Sequence, residues 1–176
     1  MILGKEEILK LIVEKKMIED YIDLEQQLQS CGFDVTVDRI YRFKDTGTLA
    51  FDNTHRKLPE KEDITDELSS WEDEIQVITL QEGHYLVKLN ETVRLPKDVA
   101  AIALPRSSLM RMGSTISSAL WDPGYEGKGY LLLIVGKNGL KIERNARFAQ
   151  LVFFSTIGAE EYRGSYYKEN LQLTIM

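Results

Sequence analysis

The sequence predicts a mainly β protein, a barrel or sandwich with a helix at its N-terminus. Apolar and polar residues alternate from Phe33 to Asp38, which is the pattern of a strand with one buried face. Similar short apolar segments follow at close intervals, separated by turn residues such as Pro123–Gly124 and Asn138–Gly139. A chain of 176 residues, 43% of them hydrophobic, can bury a sizeable core, so we expect one domain spanning 1–176.

Taken in order, the first element is an amphipathic helix over residues 5–18, where Ile8 and Ile12 share one face and charged residues occupy the other. A second short helix is expected over Leu24–Gln29. Residues 44–73 are polar and acidic, which indicates an insertion or lid without regular structure. The expected strands after Phe33–Asp38 are Ile75–Leu80, Tyr85–Asn90, Val99–Leu104, Tyr130–Val135, Leu140–Glu143 and Phe148–Ser155.

Composition and charge exclude several classes of protein. The 22 basic and 28 acidic residues leave a net charge of −6, which is unsuited to binding a nucleic-acid backbone. The single cysteine, Cys31, and the isolated His55 and His84 argue against a disulfide and against a Cys/His zinc site. No apolar run reaches the ~18–20 residues of a membrane span. Because the charged N-terminus does not resemble a signal peptide, we expect a cytoplasmic protein.

Residues 105–113, PRSSLMRMG, combine groups that suit a polyphosphate. Arg106 and Arg111 carry guanidinium forks that match phosphate oxygens, and Ser107 and Ser108 add hydroxyl groups between them. Free backbone N–H groups at a helix start would complete a cradle for the anion. The same spacing also fits a capped helix with surface arginines.

The segment 121–127, WDPGYEG, predicts a tight turn. Pro123 and Gly124 suit the central positions of a type II turn, so Asp122 lies at the end of a strand where a hairpin starts. A carboxylate there can act as a general base toward water, or it can merely initiate the turn through its side chain. Tyr125 would stack on a ring or pack within the hairpin. Further along, Arg147 and Gln150 are polar exceptions in an apolar strand, which ordinary strand-edge polarity also explains.

Taken in order, PRSSL followed by glycine, DPGYEG and RFAQLVFF resemble the motifs of the dUTPase and dCTP deaminase superfamily. MILGKEEILKLI resembles the N-terminal helix of the deaminase branch, and LVKLNETVRLPKDVAAIALPRSSL resembles the strands leading to the phosphate motif. QSCGFDVTVD resembles the first family motif, with Asp34 in its acidic position. The resemblance covers most of the chain outside 44–73. It implies a distorted β-barrel of the dUTPase-like jelly-roll type, a homotrimer with shared active sites, and a deoxynucleoside triphosphate substrate bound with Mg²⁺ that the phosphates and water hold.

The resemblance also implies a role for each matching residue. It makes Asp122 the group that orients or deprotonates water, and Tyr125 the aromatic residue under the deoxyribose. Gln150 would lie near the phosphates. The triphosphate motif corresponds to Arg106, Ser107, Ser108, Arg111 and Gly113, and the strand whose backbone reads the base edge corresponds to Tyr130, Leu131 and Leu132. In the C-terminal tail, 158–176, we expect Tyr166 or Lys168 to cover the nucleotide.

Position 132 separates the two branches of the superfamily. The resemblance implies that a deaminase carries a glutamate there, whereas this chain has Leu132 and no acidic residue between Glu126 and Glu143. An aliphatic side chain cannot transfer protons. We therefore predict a dUTP diphosphatase, an enzyme that converts dUTP and water to dUMP and pyrophosphate. The alternatives are a dCTP deaminase or bifunctional enzyme with another proton carrier, and a trimer that senses deoxynucleoside triphosphates without turnover.

Overall fold

The structure, a computed structural model, describes residues 1–171, so the end of the predicted C-terminal tail lies outside the described residues. Its helices are α1 (Lys5–Lys15), α2 (Leu24–Gln27) and α3 (Ser107–Arg111). Its strands are β1 (Ile18–Glu19), β2 (Leu28–Gln29), β3 (Gly32–Phe43), β4 (Lys61–Asp63), β5 (Ser69–Glu72), β6 (Ile75–Leu80), β7 (Gly83–Leu89), β8 (Thr92–Arg94), β9 (Val99–Pro105), β10 (Thr115–Ser117), β11 (Glu126–Gly127), β12 (Tyr130–Val135), β13 (Leu140–Glu143) and β14 (Arg147–Ser155). None of the helices in residues 1–171 has the length and apolar character needed to cross a bilayer.

A large antiparallel sheet forms the body of the protein. Its strands follow the order β10-β12-β7-β3-β14-β9, and β2 and β4 pair with the two ends of β3. The first and last strands of this order come together, since the Ala103 N–H donates to Ser118 Oγ at 3.3 Å. The sheet therefore nearly closes into a barrel, and the predicted β-barrel with an N-terminal helix is confirmed.

The N-terminal helix is shorter than the predicted 5–18. Ile8 and Ile12 face the core, as their spacing indicates. The helix ends at Lys15 because Lys16 takes a left-handed conformation, with φ of 52°, and its N–H caps the last turn. Ile18, in β1, pairs with Val93 of β8, and this pairing outweighs the local helical pattern.

The second predicted helix, Leu24–Gln29, also ends early. Its last two residues form β2, which pairs with the start of β3. Strand β3 itself was predicted to have one polar, solvent-facing side, and this is wrong. Asp34 and Thr36 are only 2% and 1% exposed, because polar side chains from elsewhere in the chain cover them.

The segment 44–73 contains two strands that its composition does not predict. β4 extends the barrel sheet by pairing Lys61 with Phe43 at the end of β3. β5 pairs with β6 in a separate sheet, with Ser69 opposite Ile78. The short strands β8, β10 and β11 were not predicted either. A strand of two to four residues depends on its distant partner, so local sequence carries little signal for it.

Candidate active site

Strand register brings Asp34, Arg106 and Gln150 together. Gln150 on β14 lies directly opposite Asp34 on β3. On its other side β14 pairs with β9, where Ala149 faces Pro105, and Arg106 follows Pro105 at once. Three residues far apart in the sequence therefore meet where the neighbouring strands β3, β14 and β9 lie side by side.

A buried carboxylate organises this group. Arg106 Nε lies 3.0 Å from Asp34 Oδ2, and Arg147 Nη1 lies 3.4 Å from the same oxygen. The Gln150 amide donates to Asp34 Oδ1 at 3.3 Å. Burial raises the pKa of Asp34, and the two guanidinium groups partly offset that rise. With two cations against one carboxylate, the cluster keeps a net positive charge that suits an anionic ligand.

A second buried carboxylate lies beneath the first. Glu91 is fully buried and accepts hydrogen bonds from Gln27 Nε2 at 2.7 Å and from the Thr36 hydroxyl at 2.6 Å. The same Gln27 amide donates to the Asp34 carbonyl at 2.9 Å. Burial raises the pKa of Glu91. Nothing in the local sequence distinguishes Glu91 from a surface glutamate, so its buried position could not be predicted.

The short helix α3 follows the cluster directly. Ser107 and Ser108 are exposed at its first turn, where helix N–H groups point outward without helical partners. Arg111 is exposed at its last turn, and Gly113 ends the segment with φ of +77° in open surroundings. A cavity of about 460 Å³, called here the Arg106 cavity, is lined by Arg106, Ser108 and Arg147 among others.

Asp122 lies elsewhere, in a tight turn. The Tyr125 N–H donates to the Asp122 carbonyl at 3.1 Å, and Gly124 takes φ of +80°, as a type II turn requires. The predicted hairpin is not formed, because Trp121 pairs with Ala101 whereas β11 pairs with β8. Within residues 1–171 the half-buried Asp122 carboxylate makes no ion pair or side-chain hydrogen bond.

Asp122 lines a cavity of about 530 Å³, called here the Asp122 cavity. Its walls come from the end of β3 and the following segment, from β7, from residues 119–130, and from the tail. A volume of this size is typical of sites for small organic ligands. Trp121, Tyr125 and Tyr130 give it an aromatic lining, and Tyr166 from the tail adds to it.

Tyr125 is almost fully buried at the base of this cavity. Its ring contacts Trp121 and Tyr162, with centroid distances of 5.0 and 5.7 Å. Its hydroxyl donates to Glu169 Oε1 at 2.7 Å, and burial raises the pKa of Tyr125. Burial also raises the pKa of Glu169, against the hydrogen bond from Tyr125 and the nearby charge of Lys61. Glu169 thus brings a second carboxylate into the Asp122 cavity.

Strand β12 presents two different edges. It pairs with β7 along its whole length, but β10 pairs with it only from Leu132 onward. Among the described residues, Tyr130 and Leu131 therefore have no strand partner on the β10 side. The Leu131 side chain is buried in the core, and Leu132 is half-buried on the same face of the strand as Tyr130.

Lys61 reaches the Asp122 cavity from the segment 44–73. Its ammonium group donates to the Tyr130 hydroxyl at 2.6 Å and lies 3.9 Å from the centroid of that ring. The Tyr41 ring is 4.8 Å away. The Tyr130 hydroxyl in turn donates to Asn170 Oδ1 at 3.0 Å, so the segment and the tail meet at this residue. The segment 44–73 contains three lysines, and no sequence signal singles out Lys61 among them.

The two tail residues named from the sequence lie in different places. Tyr166 lines the Asp122 cavity, with the Arg56 guanidinium 5.4 Å from its ring centroid. Lys168 does not line that cavity. Its N–H donates to the Glu126 carbonyl at 2.6 Å, and its ammonium lies 3.9 Å from the Glu126 carboxylate.

The predicted site residues thus fall into two groups in one chain. Arg106 and Gln150 contact Asp34, with Ser107 and Ser108 directly after Arg106 in α3, whereas Asp122, Tyr125, Tyr130 and Tyr166 line the Asp122 cavity. The two cavities share no lining residue. Ala101 pairs with Trp121, the residue before Asp122. Along β9, Ala101 and Arg106 are separated by roughly 17 Å.

Three comparisons relate this chain to known proteins. A model of the family described as dCTP deaminase-like matches residues 2–156. A protein of Archaeoglobus fulgidus named probable deoxyuridine 5′-triphosphate nucleotidohydrolase is 42% identical over 172 residues, 97% of this chain and 98% of its own length. A Methanocaldococcus jannaschii protein named deoxyuridine 5′-triphosphate nucleotidohydrolase is 43% identical over 129 residues, 73% of this chain and 79% of that protein.

Among solved structures, the 2′-deoxycytidine 5′-triphosphate deaminase of Agrobacterium tumefaciens is similar, with a TM-score of 0.65 and 22% identity. The match covers 86% of this chain and 47% of the deaminase chain, so this chain spans about half of that protein. At this identity the likeness shows a shared fold.

Proposed function

The chain belongs to the dCTP deaminase-like family, and we propose that it hydrolyses dUTP to dUMP and pyrophosphate. The observation that carries the proposal is the arrangement on either side of the Asp122 cavity. Asp122 offers a carboxylate with no ion pair in residues 1–171, whereas β12 carries only tyrosine and aliphatic side chains. The Asp122 carboxylate can activate water. Deamination would also need a side chain that carries protons to the pyrimidine ring, and β12 supplies none. The archaeal relatives named as dUTP nucleotidohydrolases support the same choice.

The nucleoside would occupy the Asp122 cavity. The deoxyribose would pack over Tyr125, and the base edge would pair with the free backbone edge of β12 at Tyr130 and Leu131. Asp122 would accept a proton from the attacking water. That water adds to the α-phosphorus, and pyrophosphate leaves with the electrons of the broken P–O bond.

The phosphates would bind at the Arg106 group. Arg106 and Arg111 supply guanidinium donors, and the first turn of α3 supplies hydroxyl and N–H groups from Ser107 and Ser108. Gln150 and Arg147 hold Asp34 in place, which leaves Arg106 oriented toward its anion. The positive charge of this group stabilises the developing negative charge on pyrophosphate.

We propose that Mg²⁺ enters with the substrate as a complex of the triphosphate. Within residues 1–171 no three His, Cys, Asp or Glu side chains lie close enough to hold a metal ion. Mg²⁺ commonly keeps several waters and binds phosphate oxygens, so a dedicated carboxylate cage is not needed. The ion would neutralise phosphate charge, while Asp122 and the arginines perform the remaining tasks.

The separation of the two groups supports shared active sites. Asp122 must approach the α-phosphate through a single water, yet Arg106 and Ser108 of the same chain line a different cavity. We therefore propose a homotrimer in which the Asp122 cavity of one copy meets the Arg106 group of a neighbour. Closed symmetric rings of this kind use the same two surfaces at every interface.

A product assay tests the reaction. The protein is incubated with Mg²⁺ and dUTP, dCTP or UTP, and both pyrophosphate and ammonia are measured. We expect pyrophosphate from dUTP, much less from dCTP and UTP, and no ammonia. Asp122→Asn should lower turnover on the order of 10²–10⁴-fold, as loss of a general base does, while dUTP still binds.

Asp98→Asn is the matched control for this assay, since Asp98 is exposed and lines neither cavity. It should leave turnover unchanged. Near-normal turnover of the Asp122→Asn variant would refute the role of Asp122, and absence of pyrophosphate from dUTP would refute the reaction. Bound dUTP that stays intact would point to a nucleotide sensor.

One observation favours dCTP deamination as a second candidate. Glu169 brings a carboxylate with a raised pKa into the Asp122 cavity, which is the property of a proton carrier that Leu132 lacks. In that reaction water adds to C4 of the cytosine ring and ammonia leaves. Ammonia release from dCTP that disappears in a Glu169→Gln variant would support deamination.

A further inference from the structure

Among the described residues that line the Asp122 cavity, Lys61 is the one with a cationic side chain. Asp122 and Glu169 are the two with anionic side chains. It makes no ion pair of 4.0 Å or less with any carboxylate of residues 1–171. Its ammonium group is held instead between the Tyr41 and Tyr130 rings and donates one hydrogen bond, to the Tyr130 hydroxyl. An ammonium has three N–H donors, so two remain for another acceptor.

The position of Lys61 is set by the sheet. Lys61 pairs with Phe43 across β3 and β4, so both side chains stand on the same face and line the cavity. The aromatic rings stabilise the charge without neutralising it, which leaves its hydrogen-bonding capacity for a ligand. Because its ammonium contacts Tyr130, the Lys61 cation lies beside β12 and would meet the part of a ligand that lies along that strand.

We propose that Lys61 reads the pyrimidine base by donating a hydrogen bond to the carbonyl oxygen at position 4 of uracil. This inference rests on the proposed function, in which the sugar packs over Tyr125 and the base lies along β12. The position-4 substituent is then the ring group most distant from the sugar. Uracil has an acceptor oxygen there, whereas cytosine has an amino group that only donates. A lysine donor at this place favours uracil and opposes cytosine.

The test replaces Lys61 with methionine, which keeps the length of the side chain and removes the donors. We expect kcat/KM for dUTP to fall about tenfold, mainly through KM, since a charged hydrogen bond of ordinary strength is lost. The value for dCTP should not fall and should rise where the ammonium donor opposes the cytosine amino group, so the dUTP/dCTP ratio falls by at least the same factor. Lys61→Arg retains donors and should keep part of the preference, and it also controls for damage to the fold.

Lys57→Met is the matched control. Lys57 lies in the same segment, but its ammonium pairs with Asp45 at 3.0 Å on the surface and does not line the cavity. This variant should match the wild-type ratio. A Lys61→Met variant that keeps the dUTP/dCTP ratio within about twofold, well below the expected loss, overturns the inference.

Binding measurements separate this inference from the proposed reaction. The affinities of dUMP and dCMP are measured by calorimetry for the same variants. If the wild-type protein releases no pyrophosphate yet prefers dUMP in a Lys61-dependent manner, the reaction is refuted and the role of Lys61 stands. Equal binding of the two nucleotides by the wild-type protein, or binding of neither, overturns the role of Lys61 whether or not dUTP is hydrolysed.

Discussion

Removal of the Arg106 guanidinium should separate the structural role of this residue from its proposed role toward phosphate. Asp34 has a side chain only 3% exposed, and its shortest cationic contact is Arg106 at 3.0 Å. In an Arg106→Met variant the carboxylate keeps only the longer contacts to Arg147 at 3.4 Å and Gln150 at 3.3 Å. The variant thus leaves a buried charge partly unpaired.

The expected loss of stability follows from these contacts. Removing one partner of a buried ion pair costs about 3–5 kcal/mol. The two remaining contacts and the partial exposure of Arg106, whose side chain is 31% exposed, reduce this to about 2–3 kcal/mol. For a chain of this size that corresponds to a fall in Tm of about 5–10 °C. Tm is measured by thermal unfolding at one fixed protein concentration, because assembly contributes to it.

A double variant tests whether the loss of stability comes from the unpaired Asp34 carboxylate. Arg106→Met combined with Asp34→Asn has no buried charge left to pair, so most of the lost stability should return. Hydrolysis of dUTP should not return, because the contact proposed between Arg106 and phosphate is still missing. Arg111→Met is the control for stability, since Arg111 is exposed and its loss should leave Tm unchanged. Equal Tm values for the single and the double variant would refute the reasoning from the buried carboxylate.

Two further predictions concern assembly and the tail. If active sites are shared between copies, mixing and reassembling equal amounts of the inactive Asp122→Asn and Arg106→Met chains should restore about a quarter of the wild-type activity per site; no recovery in a verified mixed trimer would refute shared sites. Burial raises the pKa of Glu169 above its ordinary value. The protonated Glu169 side chain therefore contributes its full stabilisation at pH values below the ordinary pKa, and this stabilisation is lost as the pH rises through the raised pKa. The Tm of the wild-type protein relative to Glu169→Gln should therefore fall from acidic toward neutral pH, and a constant difference would contradict this.

The fold class and most of the barrel strands followed from the sequence. Segments such as Tyr130–Val135 combine alternation or continuous apolar character with turn residues on either side, and these are local properties. The tight turn at Asp122 was equally local, because Pro123 and Gly124 prefer its backbone angles. Errors concentrated where a distant partner competes with local preference, as in the strands of 44–73 and the early end of the first helix.

Arg106 and Asp122 could be chosen as candidates from the sequence, because each lies in a short contiguous motif, PRSSL or DPGYEG, that is visible without knowledge of the fold. Which residues meet depends on the folded chain: Asp34 joins Arg106 through the register of three strands, whereas Asp122 lines a separate cavity with Glu169 and Lys61. Neither of these last two residues belongs to a motif. Their positions depend on how the segment 44–73 and the C-terminal tail each pack against the Asp122 cavity. Such long-range packing cannot be read from the residues next to them along the chain.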